Sequence, residues 1–152
     1  MISKRGVIEL APGADENGLA VMLADLVKAN IEASPGKKSD FDALKADIAI
    51  VAEDAQVALT LRFRFGHLTI FDGIESVPDV TVRGDSNTIL ALSNWPVTRR
   101  FGLPFPEPRD KEGIRNLAQI FSQMRRGAFH AYGAILNMRT MLRLTRIMSV
   151  NG

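Results

Sequence analysis

The sequence predicts a single α+β domain whose sheet presents one continuous apolar face. Two patterns of hydrophobic spacing lead to this class. Apolar residues first recur at the spacing of an amphipathic helix, and from residue 57 onward they alternate with polar residues, as in a strand that is buried on one side. A length of 152 residues is the usual size of one domain. We therefore predict one domain over 1–152, opening with a helical segment at 1–43.

Helical spacing dominates that N-terminal segment. Its first helix is predicted from apolar residues at i, i+3, i+4 and i+7, namely Leu19, Met22, Leu23, Leu26, Val27 and Ile31. The run Ser34, Pro35, Gly36 ends this helix. Ser39 and Asp40 are then predicted to cap one or two further turns.

Alternation of apolar and polar residues next predicts a strand meander. The longest run spans 57–65, Gly66 and His67 are predicted to make a turn, and residues 68–70 resume the alternation as the second arm of a hairpin. A shorter alternation near residue 48 predicts an earlier strand. The buried face is predicted to consist of Val57, Leu59, Leu61, Phe63, Phe65, Leu68, Ile70, Val80 and Val82.

The polar side of these strands carries arginines at positions 62, 64 and 83. Nucleic-acid binding would be favoured by aromatic residues interleaved on the same side, but Phe63 and Phe65 point to the opposite face. We therefore expect a solvated sheet surface and no nucleic-acid partner.

Residues 93–110 contain four prolines and the only tryptophan, which excludes a regular helix or a central strand. A loop of this length asks for a structural or functional reason. Its large apolar residues either fill a gap in the core or form a lid over a cavity; these are Trp95, Phe101, Leu103 and Phe105.

The C-terminal part is predicted to contain a helix from Asp110 to about Met124, a short strand near 128–133 and a final helix. One side of the final helix is predicted to be apolar, with Ile135, Met138, Met141, Leu142 and Met148. The other side is predicted to be basic, with Arg139, Arg143 and Arg146.

Two short motifs in this order of elements resemble the sterol carrier protein 2 (SCP2) family. One is the strand-to-helix run Pro-Asp-Val-Thr-Val-Arg-Gly-Asp at 78–85, and the other is the pair Gly127 and Gly133. The resemblance covers roughly residues 44–148 in organisation. It implies a five-stranded, mostly antiparallel sheet with helices packed on one face and an apolar cavity between the two layers. It also implies binding of a fatty acid, an acyl-CoA, a sterol or a prenyl-type lipid.

Charge is unevenly distributed along the chain, although the net charge is only +2. Residues 1–96 hold nine Lys or Arg and fourteen Asp or Glu, whereas residues 97–152 hold ten and three. A basic C-terminal part is compatible with a solvated face, and equally with attraction to anionic lipid or to an acidic partner.

The sequence offers little material for catalysis. It has no cysteine, no phosphate-binding loop and no nucleophile-elbow motif, and no orienting partner is identifiable for His67 or His130. No signal-type or membrane-spanning apolar run is present. We therefore expect a cytoplasmic protein that is not an enzyme and that needs no cofactor or metal.

The functional hypothesis is non-catalytic binding or transfer of a lipid-like apolar ligand between sheet and helices. The predicted ligand-binding residues are Leu61, Phe63, Phe65, Ile70, Val82, Trp95, Phe101, Phe105, Met138, Met141, Leu142, Arg139 and Arg143. The two arginines are expected to meet a head group. A transient contact with an anionic membrane surface or a partner protein is also expected. The alternative is an accessory subunit that presents a lipid intermediate to biosynthetic enzymes or docks a partner through an apolar patch.

Overall fold

The computed structural model of the protein describes residues 7–91, 111, 114, 115, 118, 129–133 and 135–150. Within this part of the chain the strands are β1 (Val7–Leu10), β2 (Lys45–Ala52), β3 (Val57–Arg64), β4 (His67–Asp72), β5 (Val80–Gly84) and β6 (Phe129–Tyr132). The helices are α1 (Gly18–Ala33), α2 (Pro35–Ala43), α3 (Ser86–Ala91) and α4 (Met138–Met148), and the four described residues at 111–118 are also helical. The α+β class is confirmed.

The strands form one mixed sheet in the order β1-β4-β3-β2-β5-β6. β1 pairs with β4 and β2 with β5 in parallel, while the other three pairings are antiparallel. The expectation of five strands in a mostly antiparallel sheet is therefore corrected to six strands in a mixed sheet. The additional strand is β1, which lies inside the segment predicted to be helical. It escaped prediction because four residues are too short for alternation to be recognised.

One face of the sheet is apolar from β4 to β5, as predicted. Across the register, Ile48 of β2 stands between Leu61 of β3 and Val80 of β5, and Leu61 is opposite Ile70 of β4. Each of these side chains is at most 1% exposed. Because side chains alternate along a strand, this register brings the odd-numbered apolar positions of β3 and the even-numbered ones of β4 and β5 to the same side. The fully buried members are Leu59, Leu61, Phe63, Leu68, Ile70, Val80 and Val82.

The turn between β3 and β4 differs from the prediction by one residue. β3 ends at Arg64, and the two turn residues are Phe65 and Gly66, with φ of 45° and 86°. Positive φ at both central residues is the geometry of a type I′ hairpin turn. The placement of Phe65 on the buried face is wrong, because its side chain leaves the strand pleat and is 66% exposed. His67 opens β4 instead of lying in the turn.

Helices α1 and α2 pack on the apolar face. The side chain of Asn17 caps α1 by accepting from the amides of Leu19 and Ala20, and the predicted residues Leu23 and Val27 are buried. The break at 34–36 separates two helices, since α2 begins at Pro35 and not after Ser39. Proline suits this first helical position because its missing amide has no helical partner there.

The opposite face of the sheet is polar and is crossed by the connection from β4 to β5. Buried Thr60 donates to the carbonyl of Gly73 and accepts from the amide of Glu75, which holds this connection over β3. Asp47 pairs there with Arg62 and Arg64. The arginines on this face are therefore engaged with carboxylates of the protein itself.

Candidate functional site

The centre of the apolar face is filled by helix side chains. Phe63 of β3 meets Phe41 of α2 edge to face, with ring centroids 6.0 Å apart and planes at 79°. Leu23 of α1 and Ile147 of α4 join the same cluster. Among the predicted ligand-binding residues, Leu61, Phe63, Ile70 and Val82 are thus placed together on one face, but most of the surface above β3 and β4 is covered by protein. The β5 side of this face is also covered, since Val80 and Val82 are at most 1% exposed.

Helix α4 is fastened at its C-terminal end. The last four carbonyls of a helix have no partner inside it. Here the side-chain amide of Asn30 donates to the carbonyls of Ile147 and Met148, at 2.8 and 3.2 Å. The Lys37 ammonium donates to the carbonyl of Ser149, and burial lowers the pKa of Lys37. These contacts join α4 to α1 and α2.

An ion pair completes this attachment. The guanidinium of Arg146 binds the carboxylate of Asp40 through two hydrogen bonds, Nε to Oδ2 at 2.8 Å and Nη2 to Oδ1 at 2.7 Å. Such a two-point contact fixes orientation as well as distance. Its sequence separation of 106 residues explains why it was not anticipated.

The N-terminal end of α4 has a different environment. Burial increases along one row of apolar side chains: Met138 is 59% exposed, Met141 is half-buried and packs on the core, and Leu144 is 4% exposed. Successive members are three residues apart, so Met141 lies beside both Met138 and Leu144, which are themselves turned about 120° from each other around the helix axis. The row leads from the surface of the protein into the layer between helix and sheet.

The face that α4 buries differs from the prediction. Met138 was expected to face the core and does not, and Leu142 is only half-buried. The buried residues are Leu144, Ile147 and Met148, of which the first two were missed. The signal that would have revealed them is the i, i+3, i+4 spacing of these three residues, whereas the methionines drew attention to the helix start.

The two arginines predicted to meet a head group lie on the solvent side of this row. Arg139 is exposed and Arg143 is half-buried, and they share one face at i, i+4. Within the described residues no carboxylate lies within ion-pair distance of either. The remaining predicted ligand-binding residues, Trp95, Phe101 and Phe105, lie outside the described part of the chain.

A turn connects β6 to α4 and is held against the start of β5. The side-chain amide of Asn137 donates to the carbonyls of Gly133 and Asp79, at 3.1 and 3.0 Å. Gly133 has a φ of 77°, and a Cβ at this position would lie 2.4 Å from the carbonyl oxygen of Asp79. The glycine predicted as a fold position is therefore required both for its conformation and for the close backbone approach.

A cavity of about 610 Å³ opens at the end of the sheet away from the start of α4. It was not predicted from the sequence. Its lining combines polar side chains with small and apolar residues. The lining residues are Glu16, Asn17, Gly18, Leu19, Ala55, Gln56, Val57, Ala58, Asp72, Gly73 and Ser86.

Two of the titratable groups in the described residues form contacts that join neighbouring elements of the fold. His67 Nε2 lies 3.1 Å from Glu9 Oε2, which joins β4 to β1. Hydrogen bonds from the hydroxyl and amide of Ser86 lower the pKa of Asp54, which thereby holds the start of α3. No group of three or more potential metal ligands occurs in the part of the chain that the structure describes.

The fold defines a class: an α+β domain with helices on one face of a mixed sheet. This is the SCP2-like fold. The chain is similar to a solved structure named "UbiJ-SCP2 Ubiquinone synthesis protein", with a TM-score of 0.57 and 15% identity over 88% of this chain and 97% of that chain. The predicted resemblance is confirmed as a likeness of fold.

A solved structure of sterol carrier protein 2 is also similar, with a TM-score of 0.46 and 14% identity over 84% of this chain and 91% of that chain. No protein-family model and no curated protein sequence matches the chain. Among the described helices, none has both the length and the apolar character needed to cross a bilayer.

Proposed function

We propose that the protein binds a lipid-like apolar ligand without chemical change, between the sheet and the helices, with the mouth of the site at the N-terminal end of α4. The observation that carries this proposal is the apolar row of Met138, Met141 and Leu144, along which exposure falls from the surface to the core as the row winds around α4. An apolar row of this kind offers a ligand a continuous surface on which to shed water. The SCP2-like fold supports the same function.

Desolvation supplies the binding free energy in this proposal. Each CH₂ group transferred from water into an apolar site contributes about 0.8 kcal/mol. Methionine thioethers are flexible and adapt to ligands of different shapes, which suits Met138 and Met141 to the mouth of such a site. On the sheet side the predicted contacts Leu61, Phe63 and Val82 are all fully buried, so in this proposal a ligand displaces helix side chains to reach them.

The ligand's polar end is proposed to meet Arg139 or Arg143. Arginine binds carboxylates and phosphates through paired hydrogen bonds, and these two are not engaged by carboxylates of the described residues. Fatty acids, acyl-CoA, sterols and prenyl-type lipids all remain within the proposed class. The likeness of fold to a protein named for ubiquinone synthesis supports including prenyl-type lipids among these candidate ligands. Trp95, Phe101 and Phe105 stay in the proposal as residues that cover the ligand.

The test combines native mass spectrometry of freshly purified protein with titration of a fluorescent fatty acid. We expect a co-purified lipid or saturable, displaceable binding. Met138→Glu places a charge at the proposed mouth and should weaken binding about tenfold, because a buried charge opposes an apolar ligand. The matched control is Met22→Glu, since Met22 is also helical and 42% exposed but lies on α1.

The proposal fails if no lipid co-purifies and no saturable displacement occurs, or if both methionine variants weaken binding equally. Circular dichroism melts of the two variants establish that each is folded. A thermal midpoint similar to that of the unmodified protein makes a loss of binding attributable to the substituted position.

A second candidate function is an accessory role, in which the protein presents a lipid intermediate to biosynthetic enzymes. The exposed apolar side chains beside the mouth, Ile135 and Leu136, favour it. The two functions differ in what the isolated protein does. A carrier binds its ligand alone, whereas an accessory subunit shows saturable binding only after its enzyme partner is added.

A further inference from the structure

The turn between β6 and α4 carries an exposed apolar tip, which we define as Ile135 and Leu136. Their exposed fractions are 85% and 91%. Met138, at the start of the helix, is 59% exposed and continues the same surface. Single exposed apolar residues are common on proteins, but three within four positions form an apolar patch, and such patches are typical of interaction sites.

The exposure of the tip is built into the backbone. Asn137 donates its backbone amide and its side-chain amide to the carbonyl of Gly133, and the side chain also binds the carbonyl of Asp79. The turn is thereby closed on itself and attached to the entrance of β5. Ile135 and Leu136 are held outward at the apex of an ordered turn, so their exposure does not come from a frayed helix end.

Two cations that lack a carboxylate partner among the described residues, Arg139 and Arg143, stand beside the tip. Four other arginines each form an ion pair with a carboxylate, namely Arg62, Arg64, Arg83 and Arg146. The sequence contains no Asp or Glu after Glu112. The side of α4 next to the tip therefore carries positive charge that the helix itself does not neutralise.

We propose that this surface docks on an anionic membrane, with Ile135 and Leu136 inserted at the level of the acyl chains and Arg139 and Arg143 at the lipid phosphates. Aliphatic residues flanked by arginines match the apolar interior and the negative head groups of such a bilayer. The tip and Met138 together present three apolar side chains, much less surface than the roughly 800 Å² per partner that a stable protein interface buries. A bilayer requires no such complementary area, so it is the favoured occupant.

Docking in this orientation brings Met138, the start of the apolar row, to the bilayer surface. A lipid would then pass from the membrane into the protein without crossing water. This consequence rests on the proposed function, but the docking itself does not and is measured on protein without ligand.

The experiment is co-flotation with vesicles of phosphatidylcholine alone and of phosphatidylcholine mixed with phosphatidylglycerol. We expect the unmodified protein to bind the anionic vesicles at low salt and to be released as salt rises. The double substitution Ile135→Asp and Leu136→Asp should weaken the partition coefficient at least about tenfold. Arg139→Gln with Arg143→Gln should weaken it about 10- to 30-fold, since each cation near an anionic surface contributes about 1 kcal/mol.

A matched control is available on the polar face of the sheet. Ile74 and Val77 are 55% and 89% exposed, and their replacement by Asp should leave vesicle binding unchanged. The proposal is overturned if the unmodified protein does not float with anionic vesicles, or if the control and the tip variant lose binding equally. It is also overturned if the arginine variant binds as well as the unmodified protein.

Titration of the fluorescent fatty acid without vesicles separates this proposal from the previous one. A variant with Ile135→Ser and Leu136→Ser, which places no negative charge beside Arg139 and Arg143, should bind the fatty acid as the unmodified protein does. If the unmodified protein binds the fatty acid but not the vesicles, the membrane-docking proposal alone is overturned. The tip would then be assigned to a protein partner. Vesicle binding that depends on the tip, with no fatty-acid binding, overturns the proposed function alone.

Discussion

The two ends of α4 belong to one helix of eleven residues but have opposite environments. At the C-terminal end Ile147 is fully buried, and Asn30 and Lys37 of the neighbouring helices satisfy the last carbonyls. At the N-terminal end Met138 is exposed and Arg139 has no carboxylate partner among the described residues. One end therefore contributes to folding stability, while the other leaves Met138 in contact with solvent.

This division has a physical reason. The free backbone groups of a buried helix end need hydrogen-bond partners. Loss of such a partner lowers the free energy of unfolding, because a buried carbonyl is left without a hydrogen bond. Substitutions at the attached end should thus change the free energy of unfolding. Substitutions at the exposed end should change binding with little effect on unfolding.

The largest effect is expected from a pair of isoleucines at the two ends. Ile147→Ala removes a fully buried side chain and should lower the free energy of unfolding by about 2–5 kcal/mol. Ile135→Ala, at a position 85% exposed, should change it by less than about 0.5 kcal/mol. Urea denaturation of both variants measures the difference. Equal effects would mean that the two ends are not distinct in stability.

An intermediate effect is expected from two glycines with the same backbone conformation. Gly73 and Gly133 both have a φ of 77°, but a Cβ has open space at Gly73 and meets the Asp79 carbonyl at Gly133. Replacement by alanine should cost about 1–2 kcal/mol at Gly73, from the left-handed conformation alone. At Gly133 the contact should add about 1–3 kcal/mol.

Thermal or urea unfolding of the two glycine variants checks this expectation. The excess destabilisation at Gly133 measures how firmly the turn below the apolar tip is attached to β5. An excess near zero would show that the turn can move away from Asp79, and the tip would then lose its fixed orientation.

The smallest effect concerns Lys37 at the attached end. Burial lowers its pKa in the folded protein below the ordinary 10.5, so the unfolded chain binds more protons between these two values. Stability should therefore rise with pH through that window, because the cost of burying the charged form disappears. At neutral pH, Lys37→Met should change stability by no more than about 1 kcal/mol, since the lost hydrogen bond and the lost desolvation cost oppose each other.

The measurement is urea denaturation of both proteins at about pH 7 and about pH 10. The unmodified protein should gain stability relative to Lys37→Met as pH rises. A difference between the two proteins that is independent of pH, or that falls with pH, would contradict the proposed environment of Lys37.

The strands of the central sheet could be predicted from the sequence because alternation of apolar and polar residues is a local signal. Leu59, Leu61 and Phe63 alternate with polar or small residues over a run long enough to define a buried face, and all three are buried. The capped start of α1 is equally local. In contrast, the parallel pairings of β1 with β4 and of β2 with β5 join segments far apart in sequence, and no local pattern encodes them.

The residues of the candidate site could be predicted from the sequence only in part. The methionines and arginines of α4 were identified, but which of them faces the core depends on how the helix is rotated against its neighbours. That rotation is set by Asp40, which binds Arg146, and by Asn30 and Lys37, which bind the helix end. None of these three has a sequence signature, because a single polar residue has many possible partners.

By itself, the sequence determined the α+β class, the apolar face of the sheet, the first helix and the SCP2-like order of elements. These features follow from periodicity, turn chemistry and helix caps, which act over a few residues. Only the tertiary structure decided the mixed sheet, the exposure of Phe65 and Met138, and the contrast between the two ends of α4. Those features depend on contacts between distant segments, where packing and hydrogen-bond satisfaction override local preference.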